Sequence, residues 1–136
     1  MSAYDELYLY TVNHPGGRSQ FILQLVVDAQ TAQNANAATR PMGLVFALLG
    51  LYLHVEKGYT GRQVQDVHIR MGRKKHAWPA IAVPEVRGAI TAADVMHFPA
   101  GRDRDAAIDD WCRSVWQAYA DARETIIGVL EQHRIV

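Results

Sequence analysis

The chain is poor in cysteine, has no net charge and contains no apolar run long enough to cross a membrane. Its single cysteine excludes an internal disulfide bond. Its 14 basic and 14 acidic residues cancel, so no overall field favours nucleic acid or an anionic membrane. The longest apolar run covers the 12 residues from Met42 to Leu53, whereas a membrane-spanning helix needs roughly 20. We therefore expect neither a membrane segment nor a nucleic-acid partner.

The length of the chain suits one domain. At 136 residues it can bury a substantial core. Its first residues, MSAYDELYLYTV, are acidic and amphipathic, whereas a secretory signal begins basic and continues apolar. We expect a single helical domain over residues 1–136 and a cytoplasmic location.

The spacing of apolar residues predicts an all-α fold with four main helices. A short N-terminal helix capped by Ser2 precedes them, and an extended arm containing Pro79 and Pro84 crosses the bundle over residues 78–90. One short helical turn, capped by Thr91, follows the arm. The main helices are expected from Ser19 to about Gln33, from Pro41 to Gly58, from Thr60 to about residue 73, and from about Ala106 to His133.

The last helix is expected to be unusually long. Its apolar residues keep a strict spacing of four and three residues from Ile108 to Val129. At about 1.5 Å per residue it would span roughly 40 Å, whereas the second and third helices would span about 25 Å. The excess length must project, bend or meet a second subunit, and we therefore expect a homodimer.

The third predicted helix is apolar on all sides and should be buried all round. His54 is the first polar side chain after its apolar run, and it should enter at the rim of the core. Gly43, Ala47, Gly50 and His54 fall on one straight face, where the small residues let another helix or a flat ligand approach closely. The alternative is tight helix packing with His54 as a hydrogen-bonded residue at the edge.

The second predicted helix carries a carboxylate among apolar neighbours. Gln24 and Asp28 are four residues apart and so share an edge of the helix. A buried carboxylate is costly unless something pairs with it. The alternative is that this edge of the helix faces solvent. The leading hypothesis places Asp28 against His54 in a small-molecule pocket, with contributions from the side chains of Gln24, His68 and Tyr52.

Two other functions remain open. The same cluster, with Asp28 and His54 as ligands, would suit an enzyme that uses a divalent metal, although no His-x-x-x-His or Glu-x-x-His pair occurs. The third possibility is a structural or interaction dimer in which the polar cluster only fixes the helix register. Cys112 lies on the core face of the last helix, and we expect an inert buried thiol.

Five segments spread over nearly the whole chain form a recognisable set: YDELYLYTVNHP, VVDAQTAQ, GLYLHVEKGYTGRQVQ, WPAIAVPEVRGAITAADVM and DAAIDDWCRSVWQAY. Together they resemble a family of small bacterial proteins classed as a domain of unknown function. The segment GLYLHVEKGYTGRQVQ is the most specific of the five. The resemblance implies a helical protein and names no substrate.

The resemblance also implies one difference from relatives. Residues that match the family pattern are Gln24, Asp28, Gln33, His54 and Glu56. Relatives often carry histidine at the positions of Leu23 and Asn34. If a metal or acid–base site in relatives uses those histidines, this chain has altered or lost it.

Overall fold

The structure is a computed structural model that describes residues 1–14, 22–73 and 77–135. All regular structure in these residues is helical, which confirms the all-α class. Seven α-helices and one 3₁₀ turn are described: α1 Ala3–Val12, α2 Ile22–Gln33, α3 Pro41–Lys57, α4 Gly61–Gly72, α5 Ala92–Met96, α6 Arg102–Ala118, the 3₁₀ turn Ala120–Ala122, and α7 Arg123–Gln132. The predicted cap of the second helix, Ser19, lies outside the described residues.

Local signals place several helix ends as predicted. Ser2, Thr60 and Thr91 each accept a hydrogen bond from the backbone amide three residues on, and each forms a complete capping box. Gly58 ends α3 in the left-handed conformation, with φ of 72°. That turn directs the Tyr59 amide back to the carbonyl of Leu53, and it also positions the Tyr59 carbonyl beside the end of α3.

Helix α3 lies in the middle of the fold. Its residues from Leu44 to Leu53 are buried almost without interruption, as the apolar run predicts. It packs against α2, α4, α6 and α7. Residues 77–90 form no helix or strand, and side chains including Trp78 and Ile81 lie against the core. No helix in the described ranges is long and apolar enough to cross a membrane.

The expectation of one long final helix is wrong. Helix α6 ends at Ala118, a 3₁₀ turn follows, and α7 begins at Arg123. Buried Tyr119 sits at the break and donates a hydrogen bond of 2.6 Å to the Ala32 carbonyl of α2. The 3₁₀ turn keeps the apolar stripe facing the core, so spacing alone does not reveal the break.

An ion pair holds the start of α7 after this break. The carboxylate of Glu56, near the end of α3, accepts hydrogen bonds from Arg123 and, at 2.7 Å, from the indole of Trp116. The bond to Arg123 is the main cause of a lowered Glu56 pKa. Since α6 has only 17 residues, no excess length remains to argue for a dimer. The homodimer stays a prediction that the structure does not test.

Candidate functional site

Helices α2, α3 and α4 meet at a buried carboxyl group. The Asp28 side chain is almost fully buried, and Gln24 donates a hydrogen bond of 2.9 Å to its Oδ1. Its Oδ2 lies against Gly50 of α3, where any Cβ would overlap the carboxylate. The small-residue face of α3 therefore admits a side chain of α2, and this contact requires glycine.

His68 of α4 completes this buried cluster, which consists of Gln24, Asp28 and His68. The His68 Nε2 donates a hydrogen bond of 2.8 Å to the Phe46 carbonyl and lies 3.7 Å from Asp28 Oδ2. Burial lowers the pKa of His68 to about 4, so the imidazole is neutral. Burial also raises the pKa of Asp28 well above its usual range. Within the described residues, Asp28 Oδ2 has no hydrogen-bond partner.

The predicted pairing of Asp28 with His54 is wrong. The His54 Nδ1 donates to the Tyr59 carbonyl at 2.7 Å, and its Nε2 lies 2.8 Å from Asp109 Oδ1 on α6. Both ring nitrogens are thus engaged away from Asp28. His54 lies four residues beyond Gly50, about 6 Å further along α3, where α6 covers the helix.

The other predicted site residues form two groups, those that contact Asp28 and those that do not. Gln24 and His68 do meet Asp28, whereas Tyr52 packs its ring against Trp116 at 5.8 Å and against Arg123 at 5.9 Å. The hypothetical metal pair of Asp28 and His54 is not formed, because the two side chains bind different partners. Across the three described ranges, no group of three or more His, Cys, Asp or Glu side chains is arranged to hold a metal ion.

A cavity of about 300 Å³ lies where His54 does emerge. It opens between the end of α1, the start of α2, the turn from α3 to α4, and the first half of α6. We call it the His–Asp cavity. Its lining residues are His14, Ile22, Leu25, His54, Gly58, Tyr59, Thr60, Gly61, Asp105, Ile108 and Asp109.

Two imidazole–carboxylate pairs face this cavity. His14 Nε2 lies 2.7 Å from Asp105 Oδ2, and His54 Nε2 lies 2.8 Å from Asp109 Oδ1. The two aspartates are four residues apart on α6 and therefore share one helix face, one turn apart. Helix α6 thus presents two carboxylates, and each of them pairs with an imidazole from a different segment of the chain.

In each pair, a further hydrogen bond to a third residue fixes the orientation of one partner. The Tyr10 hydroxyl donates to Asp105 Oδ1 at 2.7 Å and accepts the Gly101 amide at 3.0 Å. Burial and the bond to Asp105 raise the pKa of Tyr10, so its hydroxyl keeps the proton that it donates. His54 is anchored instead by the Tyr59 carbonyl, which can only accept and so fixes a proton on Nδ1.

The anchoring of His54 favours its charged form. Burial by itself lowers the pKa of His54, but the hydrogen bonds to Asp109 and to the Tyr59 carbonyl outweigh burial, and the pKa is raised. A protonated His54 can donate from both nitrogens, which is what its two partners require. Asp109 is 53% exposed, whereas His54 is only 18% exposed. The carboxylate is therefore the part of this pair that a molecule in the cavity meets.

The chain belongs to the family DUF5946. The profile of this family of unknown function matches residues 1–120, which include every residue of the His–Asp cavity. The match confirms the resemblance that the sequence segments indicate. No curated protein and no solved structure matches the chain.

Of the four side chains in the two pairs of this DUF5946 protein, only His54 is among the site residues predicted from the sequence. In the sequence, Asp105 and Asp109 suit the start of a helix because negative charge complements the helix dipole, and His14 belongs to a predicted loop. One available signal was the spacing of four between the two aspartates, which places them on one face. Cys112 on the same helix is fully buried, as predicted, and burial raises the pKa of its thiol.

We expect Gly50→Ala to destabilise the protein by about 1–3 kcal/mol, the usual cost of overpacking a core. The new Cβ would overlap the Asp28 carboxylate and lie 2.9 Å from Val64 Cγ1. In an Asp28→Ala background the same change should cost clearly less, as denaturant unfolding would measure.

Gly43→Ala is the matched control for Gly50→Ala. It lies on the same face of α3, and no heavy atom lies within 4 Å of its would-be Cβ. Alanine is favoured over glycine inside a helix by about 0.5–1 kcal/mol, so this variant should be slightly more stable. Equal costs of Gly50→Ala with and without Asp28 would contradict the contact.

His68 should make the protein less stable as the pH falls. Burial lowers the pKa of His68 from 6.5 to about 4. Its contribution to the free energy of unfolding is therefore complete above pH 6.5 and is lost progressively down to about pH 4. The loss approaches about 3 kcal/mol, at roughly 1.4 kcal/mol per pKa unit. Asp28 acts with the opposite sign, because its raised pKa favours the folded state at low pH.

The measurement compares the free energy of unfolding of the wild type and His68→Gln from pH 4 to 7. Glutamine keeps an N–H donor for the Phe46 carbonyl but does not titrate. The difference between the two proteins isolates His68 from Asp28, and the variant should lose less stability towards acid pH. Parallel curves would show that His68 titrates normally in the folded protein.

Proposed function

We propose that this protein binds a small polar molecule in the His–Asp cavity and exchanges protons with it. The observation that carries the proposal is the convergence of two imidazole–carboxylate pairs on one cavity of about 300 Å³. A cavity of this size suits a small metabolite, because ligand sites usually combine apolar walls with a few placed polar groups.

The polar groups are of the kind that transfers protons. Histidine is the side chain whose proton exchanges most readily near neutral pH, and a carboxylate partner sets which nitrogen carries it. His54 holds a proton on Nδ1 through the Tyr59 carbonyl and faces Asp109 through Nε2. The exposed carboxylate of Asp109 can therefore take a proton from a bound molecule, while His54 behind it holds the carboxylate in place.

The buried cluster of Gln24, Asp28 and His68 supports the site without forming it. Asp28 is 3% exposed, and no part of it lines the His–Asp cavity. Its position at Gly50 packs α2 closely against α3 one turn before His54. We infer that this close packing determines where His54 emerges.

The test is a thermal-shift screen of purified, untagged protein, with the organic molecules in sodium phosphate buffer and the metal ions in MOPS buffer, because phosphate precipitates Zn²⁺ and Mn²⁺. The panel contains short amines, carboxylates, polyols, and the ions Zn²⁺ and Mn²⁺. A molecule present at ten times its Kd stabilises by about 1.4 kcal/mol, which should raise the Tm by a few degrees.

The variants for this screen are His54→Gln and Asp109→Asn, which should lose the response. Asp110→Asn is the matched control, because Asp110 is the next residue, is 65% exposed and pairs with Arg113 on the surface. A response that survives both cavity variants would contradict the proposed site. A response to metal ions alone would favour the metal-dependent alternative over the proposed function.

A further inference from the structure

We propose that the ligand of the His–Asp cavity carries a primary ammonium group on a short apolar stem. This inference rests on the proposed function and names the chemical class of the molecule bound. Two features of the cavity support an ammonium group. Some hydrogen-bonding groups of the cavity already bind partners inside the protein, and the others can bind a ligand.

The donors of the two pairs are committed to internal partners. His54 gives one N–H to the Tyr59 carbonyl and the other to Asp109. The Tyr10 hydroxyl gives its hydrogen to Asp105. His14 meets the same carboxylate through Nε2, and since a carboxylate oxygen accepts, that nitrogen is the donor. To receive a hydrogen from His54, from Tyr10 or from Nε2 of His14, a ligand would have to break one of these bonds.

Among the residues that the structure describes, hydrogen bonds do not use every acceptor position of the two carboxylates. An ionised carboxylate offers about four lone-pair positions, and the contacts of His54 with Asp109 use only Oδ1. In both pairs the carboxylate is also the more exposed partner. The exposures are 30% for Asp105 against 11% for His14, and 53% for Asp109 against 18% for His54. The pairs therefore present acceptors, and a ligand must bring donors.

The geometry favours an ammonium group over a single hydroxyl. Asp105 and Asp109 lie one turn apart, with Cβ atoms about 5–6 Å from each other, and both face the cavity. An ammonium group has three N–H donors and a positive charge, so it can bond both carboxylates at once. An anionic ligand would instead meet the two carboxylates first, because they are more exposed than the imidazoles behind them, and contact between like charges costs binding energy.

The remaining walls limit the rest of the ligand. Ile22, Leu25 and Ile108 give one side of the cavity an apolar surface, which suits a short alkyl stem. The other side is the start of α4, where the Thr60 hydroxyl oxygen accepts a hydrogen bond from the backbone amide of Gln63. That wall is compatible with a polar group at the far end of the ligand, and it does not decide the class.

The experiment compares three probes of nearly equal size: propylammonium, propionate and 1-propanol. Binding is followed by calorimetry and by the NMR signals of the His54 ring, in sodium phosphate buffer free of amines. Propylammonium should bind and shift the His54 signals, while the other two probes should bind at least tenfold more weakly. Asp109→Asn and Asp105→Asn should each weaken propylammonium binding at least tenfold, and Asp110→Asn should change it less than twofold.

Several results would overturn the inference. Propionate or 1-propanol binding as tightly as propylammonium would do so, as would propylammonium binding that neither cavity aspartate affects. Binding of Zn²⁺ or Mn²⁺ without any response to propylammonium would do the same. Circular dichroism of each variant shows whether a loss of binding reflects a loss of fold, and the two aspartate variants check each other.

The outcomes also separate this inference from the proposed function. If other members of the panel shift the His54 signals and propylammonium does not, the ammonium class is wrong and the cavity remains a binding site. If no small molecule shifts them, both the class and the proposed function are wrong.

Discussion

Two carboxylates one turn apart on α6 hold the ends of α1 and α3 through imidazoles. Asp105 binds His14 and Asp109 binds His54, so the polar face of α6 is occupied by residues from distant parts of the chain. Each bond closes one side of the same cavity. The same two imidazole–carboxylate pairs therefore fix the packing of α6 and supply the polar groups of the cavity.

The protein contains two polar clusters with opposite electrostatic character. At Gly50, Asp28 and His68 are buried side by side, and burial drives both towards their neutral forms. At the His–Asp cavity, water reaches the carboxylates, and the hydrogen bonds of His54 overcome its burial to favour the charged form. Burial without charged partners makes the first cluster a packing element, whereas access and charge make the second suited to a ligand.

The parts of the fold that depend on short-range signals could be predicted from the sequence. The capping box of Thr60, the left-handed end of α3 at Gly58 and the burial of α3 all follow from residues close together in the chain. The break at Tyr119 could not, because the 3₁₀ turn preserves the apolar spacing. The partner of His54 could not either, since Asp109 is 55 residues away and its position depends on how α6 lies across α3.

The Asp109 carboxylate holds a proton on His54 at the wall of the cavity. NMR titration of the His54 ring in the wild type and in Asp109→Asn tests it most directly. We predict a wild-type His54 pKa above 6.5 and a clear fall of that pKa in the variant, because burial then acts against a weaker partner. A wild-type pKa at or below 6.5, or an unchanged value in the variant, would contradict it.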